Sequence, residues 1–314
     1  MKPRSCPFVV AVLFAALTLI SNLQAQPLLT IDTVTVGDAG NAADTTGYGA
    51  VADVFAMGKY EVTIEQYTAF LNAVAATDTY SLYNPRMATD LNIAGITQAG
   101  SSGSFSYSVI GSGSRPITFV SWFDAARFAN WMNNGATNGA STETGAYTLN
   151  GVTSGVNFTK NAGATWWIPS EDEWYKAAYY KGGGTNAGYW LYPTQSDSAP
   201  GNEVGGAANQ ANYNNGVYSV TQSSTYSGTL NYLTDAGAFS ASDSAYATFD
   251  QGGNVWEWND AVIGSSRVSA GALGTSTAAS CGLPSAAASI PRSGSAAWDS
   301  ALPASPSPPQ RCWC

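Results

Sequence analysis

Histidine is absent from the 314-residue sequence. Its absence excludes the Ser-His-Asp and Cys-His arrangements that activate nucleophiles, and it excludes zinc or iron sites built on imidazole ligands. Any reaction that this chain catalyses must therefore use carboxylates, thiols, hydroxyl groups or backbone atoms.

Charged residues are scarce, and basic residues are scarcer than acidic ones. Only 11% of the residues are charged, and 12 Lys and Arg against 21 Asp and Glu give a formal net charge of -9. Nucleic-acid binding requires clustered cations, and no basic run occurs beyond the start of the chain, so we expect no nucleic-acid partner. The 45% hydrophobic content, with 10 Trp, 17 Tyr and 11 Phe, is typical of a folded globular chain.

Cysteine is rare, and the central part of the chain has none. The four cysteines are Cys6, Cys281, Cys312 and Cys314. No internal disulfide is therefore available to residues 28–266. The last two cysteines form a Cys-x-Cys pair without a second set of metal ligands, and we interpret that pair as incidental.

The N-terminus has the pattern of an export signal. Lys2 and Arg4 precede an apolar run over residues 7–20, and a short polar stretch then leads to the small Ala25. A short membrane anchor is the alternative, but the run is shorter than the roughly 20 residues that a spanning helix needs, and no later segment could span a bilayer. We predict a signal peptide over residues 1–25 and an exported protein that is periplasmic, at the cell surface or secreted.

Three segments predict helices that begin at capping boxes. In a capping box a hydroxyl group caps a free backbone N–H, and a side chain three residues later reaches back to the cap. Behind each start, apolar residues recur at the i, i+3, i+4 spacing of a helix with one buried face. The three pairs are Thr63 with Gln66, Ser121 with Asp124, and Ser170 with Glu173.

Four motifs occur in the order of a known domain. They are MGKYEVT at 57–63, RPITFVSW at 115–122, IPSEDEW at 168–174 and GNVWEW at 253–258. In these motifs the chain resembles the sulfatase-modifying factor domain of formylglycine-generating enzymes. The resemblance implies a single loop-rich α+β domain, related to the C-type-lectin fold, over residues 28–266.

The tryptophans and carboxylates of these motifs allow a structural and a functional interpretation. Large apolar rings usually fill a core, and we expect that of these tryptophans rather than contact with a substrate. We likewise interpret Glu61, Asp124 and Glu173 as caps and buried hydrogen-bond partners rather than as general acids. The tryptophans are Trp122, Trp131, Trp174, Trp256 and Trp258.

The segment DQGGNVWE at 250–257 offers oxygen ligands for calcium. It combines two carboxylates with glycines that allow backbone carbonyls to turn inward. The resemblance implies a structural calcium ion here, and the alternative is an ordinary turn before a strand. A second site implied by the resemblance lacks its expected acidic ligand near Gly228. The ligands of the first site are Asp250, Gly253, Val255 and Glu257, and those of the second begin with Asn212 and Tyr213.

The sequence departs from the oxidase at the catalytic position. The resemblance implies a pair of thiols beyond GNVWEW that bind copper(I), activate oxygen and convert a substrate cysteine to formylglycine. In this chain the residues after Arg267 become rich in Ala, Ser, Pro and Gly, and Cys281 lies outside any such pattern. We therefore expect no catalytic residues and no copper site.

A shift of reading frame after Arg267 accounts for this change of composition. When each codon is read from its third base, residues 268–274 permit the Arg-Gly-Gly-Ala-Trp that closes the family pattern, and residues 297–314 permit Gly-Phe-Arg followed by Val-Pro-Glu-Pro. The latter resembles the start of a bacterial surface-sorting tail. We predict that residues 267–314 form a disordered, out-of-frame tail and that the closing strands are missing. Resequencing the gene around the Arg267 codon tests this hypothesis.

Two classes of function fit the sequence, beside an inactive product. The first is a binding module that recognises a peptide, protein or polysaccharide at the cell surface, which needs no thiol. The second is a formylglycine-generating oxidase that acts on an exported sulfatase, which needs two. Because the thiols are missing, the sequence favours the binding module.

Overall fold

A computed structural model describes residues 26–271 of the chain. These residues form four helices and six short strands, and the strands pair as three separate two-stranded antiparallel sheets. Loops make up most of the remainder. The elements are β1 (Thr33–Val36), β2 (Phe55–Gly58), α1 (Ile64–Val74), α2 (Arg86–Thr89), β3 (Ile96–Ala99), β4 (Ser106–Val109), α3 (Trp122–Asn133), α4 (Glu171–Tyr179), β5 (Glu257–Ile263) and β6 (Ser266–Ala270).

All three predicted helix starts are confirmed as capping boxes. Helix α1 begins after Thr63, α3 after Ser121 and α4 after Ser170, and in each the third helical residue reaches back to the cap. Helix α2 was not predicted, because its four residues are too few to show helical periodicity.

The main core lies between α1 and α3. Phe70 of α1 packs edge-on against Phe128 of α3, with 5.3 Å between ring centroids, and Trp131 lies 5.4 Å from Phe70. Trp122, Trp131, Trp174 and Trp258 are buried, and Trp256 packs against the core. The prediction that these tryptophans fill the core is therefore confirmed.

The β5–β6 hairpin ends the described part of the chain and changes the predicted domain boundary. We placed the end of the folded domain at residue 266, but β6 continues to Ala270, which pairs with Glu257. Hairpin pairing uses backbone N–H and C=O groups, and every residue except proline supplies both. Strand β6 can therefore pair with β5 although its sequence lacks the alternation of apolar and polar residues that predicts a strand. The buried Arg267 adds side-chain contacts: its guanidinium lies 3.8 Å from the ring centre of Trp122.

The predicted signal peptide over residues 1–25 lies outside the described residues, as do residues 272–314 of the predicted tail and all four cysteines. Within residues 26–271, no helix is long and apolar enough to cross a membrane.

Candidate functional site

The segment from Asp250 to Glu257 forms a tight turn that leads into β5. Asp250 and Asn254 both adopt left-handed backbone conformations, with φ of 64° and 58°. Aspartate and asparagine tolerate this region better than other non-glycine residues, which explains their presence at these positions. Glu257 is the first residue of β5 and is buried.

Asn254 joins three separate loops at the centre of this turn. Its Oδ1 accepts hydrogen bonds from Asn212 Nδ2 at 2.9 Å and from the Thr234 backbone N–H at 3.1 Å. Its Nδ2 donates to Glu61 Oε2 at 3.4 Å, and its backbone N–H donates to the Asn212 carbonyl at 2.9 Å. The asparagine of the GNVWEW motif thus holds the turn together.

Three carboxylates surround this turn. Glu61 and Glu257 are almost fully buried, and Asp250 Oδ2 accepts a hydrogen bond from the Gly237 backbone N–H at 2.5 Å. Burial raises the pKa of Asp250 to about 6. Burial, and then the negative charges of Asp250 and Glu257, raise the pKa of Glu61 well above its usual value. Repulsion between these carboxylates favours a bound proton or a cation.

Glu61 has one oxygen without a hydrogen-bond partner. Its Oε1 is buried and accepts no hydrogen bond from any described residue. A buried acceptor left unsatisfied is costly unless a proton or an ion satisfies it. Glu61 could be recognised as part of the MGKYEVT motif. The residues next to it in the sequence do not show that the charge of Asp250 acts on it in the fold.

The structure brings some of the predicted calcium ligands together. The Val255 carbonyl and the Glu257 side chain both lie beside Gly271. If Gly271 had a Cβ atom, that atom would be 3.1 Å from Val255 O and 3.8 Å from Glu257 Cγ. The Gln251 carbonyl, 3.5 Å from the same point, was missed because nothing in its side chain marks it. One oxygen of the Asp250 carboxylate, Oδ2, accepts a hydrogen bond from the Gly237 backbone N–H.

The two predicted calcium sites are neighbours in the fold. Gly253 packs so closely on Asn212 that a Cβ there would lie 2.6 Å from the Asn212 carbonyl, which explains why this position is glycine. The Tyr213 carbonyl accepts hydrogen bonds from Asn202 Nδ2 and Ser219 Oγ, both at 3.1 Å. Asn212 and Tyr213 thus take part in the hydrogen bonds of these loops, and a second calcium site at these two residues stays a prediction.

The chemistry available at this site is that of oxygen atoms. Among the described residues, no three Asp, Glu, His or Cys side chains form a group that could hold a metal ion, so a cation here would depend on backbone carbonyls as well. Residues 26–271 contain no cysteine, so none of the described residues brings a thiol to the turn. The oxygen atoms that could hold a cation near Gly271 are the Val255 and Gln251 carbonyls and the Glu257 carboxylate, and the unsatisfied Glu61 Oε1 belongs to a side chain that contacts Asn254.

Comparison with known proteins gives one family. The family model described as "Sulfatase-modifying factor enzyme 1-like domain" matches residues 32–291. A solved structure described as "Crystal Structure of CarF" is similar to the chain at 20% identity, covering 78% of this chain and 88% of that one with a TM-score of 0.43. No curated protein matches the sequence. Because the family model spans most of the chain and the four motifs lie within it, this protein belongs to the sulfatase-modifying factor enzyme 1-like domain family.

Proposed function

We propose that this protein is an exported member of its family that binds a ligand at the cell surface and has no oxidase activity. The observation that supports this proposal most directly is that the sequence beyond GNVWEW, where the resemblance places the pair of thiols, has only Cys281 before the terminal Cys312 and Cys314. Copper(I) oxidase chemistry needs thiolate ligands, because soft copper(I) selects sulfur.

The motif residues of the described domain are occupied by structural contacts. The Trp258 indole N–H donates to the Val120 carbonyl at 3.0 Å, and the Trp174 indole N–H donates to Glu257. Asp124 and Glu173 accept hydrogen bonds from their own helix caps, at Ser121 and Ser170. These contacts maintain a scaffold, and they leave ligand recognition to the exposed loops.

The family match favours one alternative, a formylglycine-generating oxidase that converts a sulfatase cysteine. This alternative requires thiols from the sequence beyond residue 271, where Cys281, Cys312 and Cys314 occur. Export through a signal peptide over residues 1–25 and a relationship to the C-type-lectin fold remain parts of the same proposal.

We also propose that the turn at 250–257 binds a structural calcium ion. The Val255 carbonyl and the Glu257 carboxylate would hold it, and Asp250 and the Gly253 carbonyl would complete the set predicted from sequence. The cluster of buried carboxylates with Glu61 supports this proposal, because a divalent cation would offset their repulsion. The ion would stabilise the fold and would take no part in a reaction.

An assay for the aldehyde product tests the proposed function. The purified chain is incubated with copper, oxygen and a sulfatase-type cysteine peptide, and the peptide is analysed by mass spectrometry. We expect no formylglycine above a control without the protein. Detection of the aldehyde would establish the oxidase alternative.

A further inference from the structure

Three tyrosines pack together on the surface loop over residues 218–232. The rings of Tyr226 and Tyr232 are nearly parallel, at 10° with 5.9 Å between their centroids, and Tyr218 lies 4.6 Å from Tyr232. Tyr232 is buried, whereas Tyr226 is 56% exposed. The ring of Tyr226 is therefore exposed to solvent and packs against the rings of Tyr218 and Tyr232.

Asn92 holds this loop in place. The Tyr226 hydroxyl donates to Asn92 Oδ1 at 2.6 Å, and Asn92 Nδ2 donates to the carbonyls of Ser227 and Leu230 at 2.8 Å and 2.7 Å. The Tyr232 backbone N–H donates to the Asn92 carbonyl at 2.8 Å. The hydroxyl end of the exposed ring and the loop that carries the ring are thereby fixed, which lowers the entropy cost of placing a ligand on it.

The loop that carries Tyr226 is nearly uncharged, and on the segment of Asn92 the charge of Asp90 is paired with Arg86 at 2.8 Å. Leu91, 50% exposed, adjoins Asn92 in sequence, and Leu230, 46% exposed, lies in the loop that Asn92 holds. The hydroxyl groups of Ser227 and Thr229 lie 3.1 Å apart in the same loop. Between residues 198 and 234 the sequence has a single charged side chain, Glu203. A ligand that matches this surface carries no net charge and combines apolar faces with hydroxyl groups.

We propose that the exposed ring of Tyr226 is a stacking platform for a neutral polysaccharide. The faces of a sugar ring carry C–H groups with slight positive charge, which pack favourably on the negative face of an aromatic ring. The sugar hydroxyls at the edge of the ring would exchange hydrogen bonds with Ser227 and Thr229. The inference rests on the proposed binding function. It assigns a neutral polysaccharide as the class of ligand and the loop over residues 218–232 as the binding site.

Electrophoresis of the full chain in native gels that contain a soluble polysaccharide tests the proposal. The neutral probes are hydroxyethylcellulose, dextran, galactomannan and arabinoxylan, and alginate is the acidic comparison. We expect retardation in at least one neutral gel. Tyr226→Ala should weaken that binding by about tenfold. Val54→Ala, which changes a side chain of matched exposure (57%) outside this loop, should not weaken it.

A second measurement uses the unaltered chain and so does not depend on the folding of a variant. The retarding polysaccharide should protect Tyr226 from nitration by tetranitromethane, as read by peptide mapping. Retardation in no neutral gel, retardation only by alginate, or equal nitration of Tyr226 with and without the polysaccharide would overturn the proposal. These outcomes concern polysaccharide binding alone. The formylglycine assay tests separately whether the protein is an oxidase.

Discussion

The Trp174 indole N–H donates a hydrogen bond to Glu257 Oε2, which joins helix α4 to the first residue of β5. Both side chains are buried, and they come from motifs 83 positions apart in the sequence. A buried hydrogen bond to a carboxylate is stronger than one between neutral groups, so this contact links two family motifs into one folding unit.

Replacement of Trp174 tests the strength of that link. Trp174→Phe removes the donor to a carboxylate, whereas Trp131→Phe removes a donor to the neutral Thr137 carbonyl from an equally buried ring. Because hydrogen bonds to charged groups contribute more, we expect Trp174→Phe to lower the free energy of unfolding by about 1 kcal/mol more than Trp131→Phe. Urea denaturation measures the difference. Equal losses in the two variants would show that the carboxylate adds nothing.

Calcium should raise the melting temperature of the chain. A ligand that binds only the native state stabilises it by mass action, and the predicted ligands include Asp250 and Glu257. We expect a higher melting temperature in calcium than in chelator, and we expect Glu257→Ala to abolish that difference. The control is Glu203→Ala, an exposed acidic residue outside the 250–257 turn, which should retain it. Identical melting of the unaltered chain in both buffers would contradict the calcium site.

The capping carboxylate of helix α3 should make stability depend on pH. Burial raises the pKa of Asp124 to about 7, against the hydrogen bonds from Ser121 and the charge of Arg127, which lower it. Between about pH 4 and pH 7 the native state therefore holds a proton that the unfolded chain has released, so the contribution of Asp124 to stability falls as pH rises.

Asp124→Asn isolates this contribution, because an amide oxygen can still accept from the Ser121 N–H. Denaturant unfolding measures the free energy of unfolding of the unaltered chain relative to this variant. From pH 4 to pH 7 this difference should decline by a few kcal/mol, on the order expected from the shift in the pKa of Asp124. A constant difference across this range would mean that Asp124 titrates as an ordinary carboxyl.

Arg267 should be essential to the last hairpin. Its guanidinium donates to the carbonyls of Asp260, Val156 and Phe158 at 2.6, 2.8 and 2.7 Å. A lysine ammonium lacks the planar fork that reaches three separate carbonyls, so we expect Arg267→Lys to destabilise the fold by about 2 kcal/mol.

Arg86→Lys provides the matched comparison for Arg267→Lys. Arg86 forms a partly exposed ion pair with Asp90 at 2.8 Å and lies 4.6 Å from the centre of the Phe119 ring, and a lysine ammonium can make both contacts. We expect a loss below about 0.5 kcal/mol for Arg86→Lys by thermal or chemical unfolding. A loss at Arg267 no larger than this would show that the hairpin does not depend on its guanidinium.

The sequence by itself determined three of the four described helices and the family. A capping box and an apolar i, i+3, i+4 pattern depend on residues within one or two helical turns, so Thr63, Ser121 and Ser170 could be recognised as caps without the fold. The four motifs determined the family in the same way, because their order is itself sequence information.

Only the tertiary structure decided how the loops meet. The contact of Asn212 with Asn254 spans 42 positions and that of Tyr226 with Asn92 spans 134, and no local pattern records either. The pairing of β6 with β5 was likewise hidden, because its hydrogen bonds come from backbone atoms. Long loops without periodicity acquire their positions from buried polar side chains, and the partner of a polar side chain depends on which segments the core has already brought together.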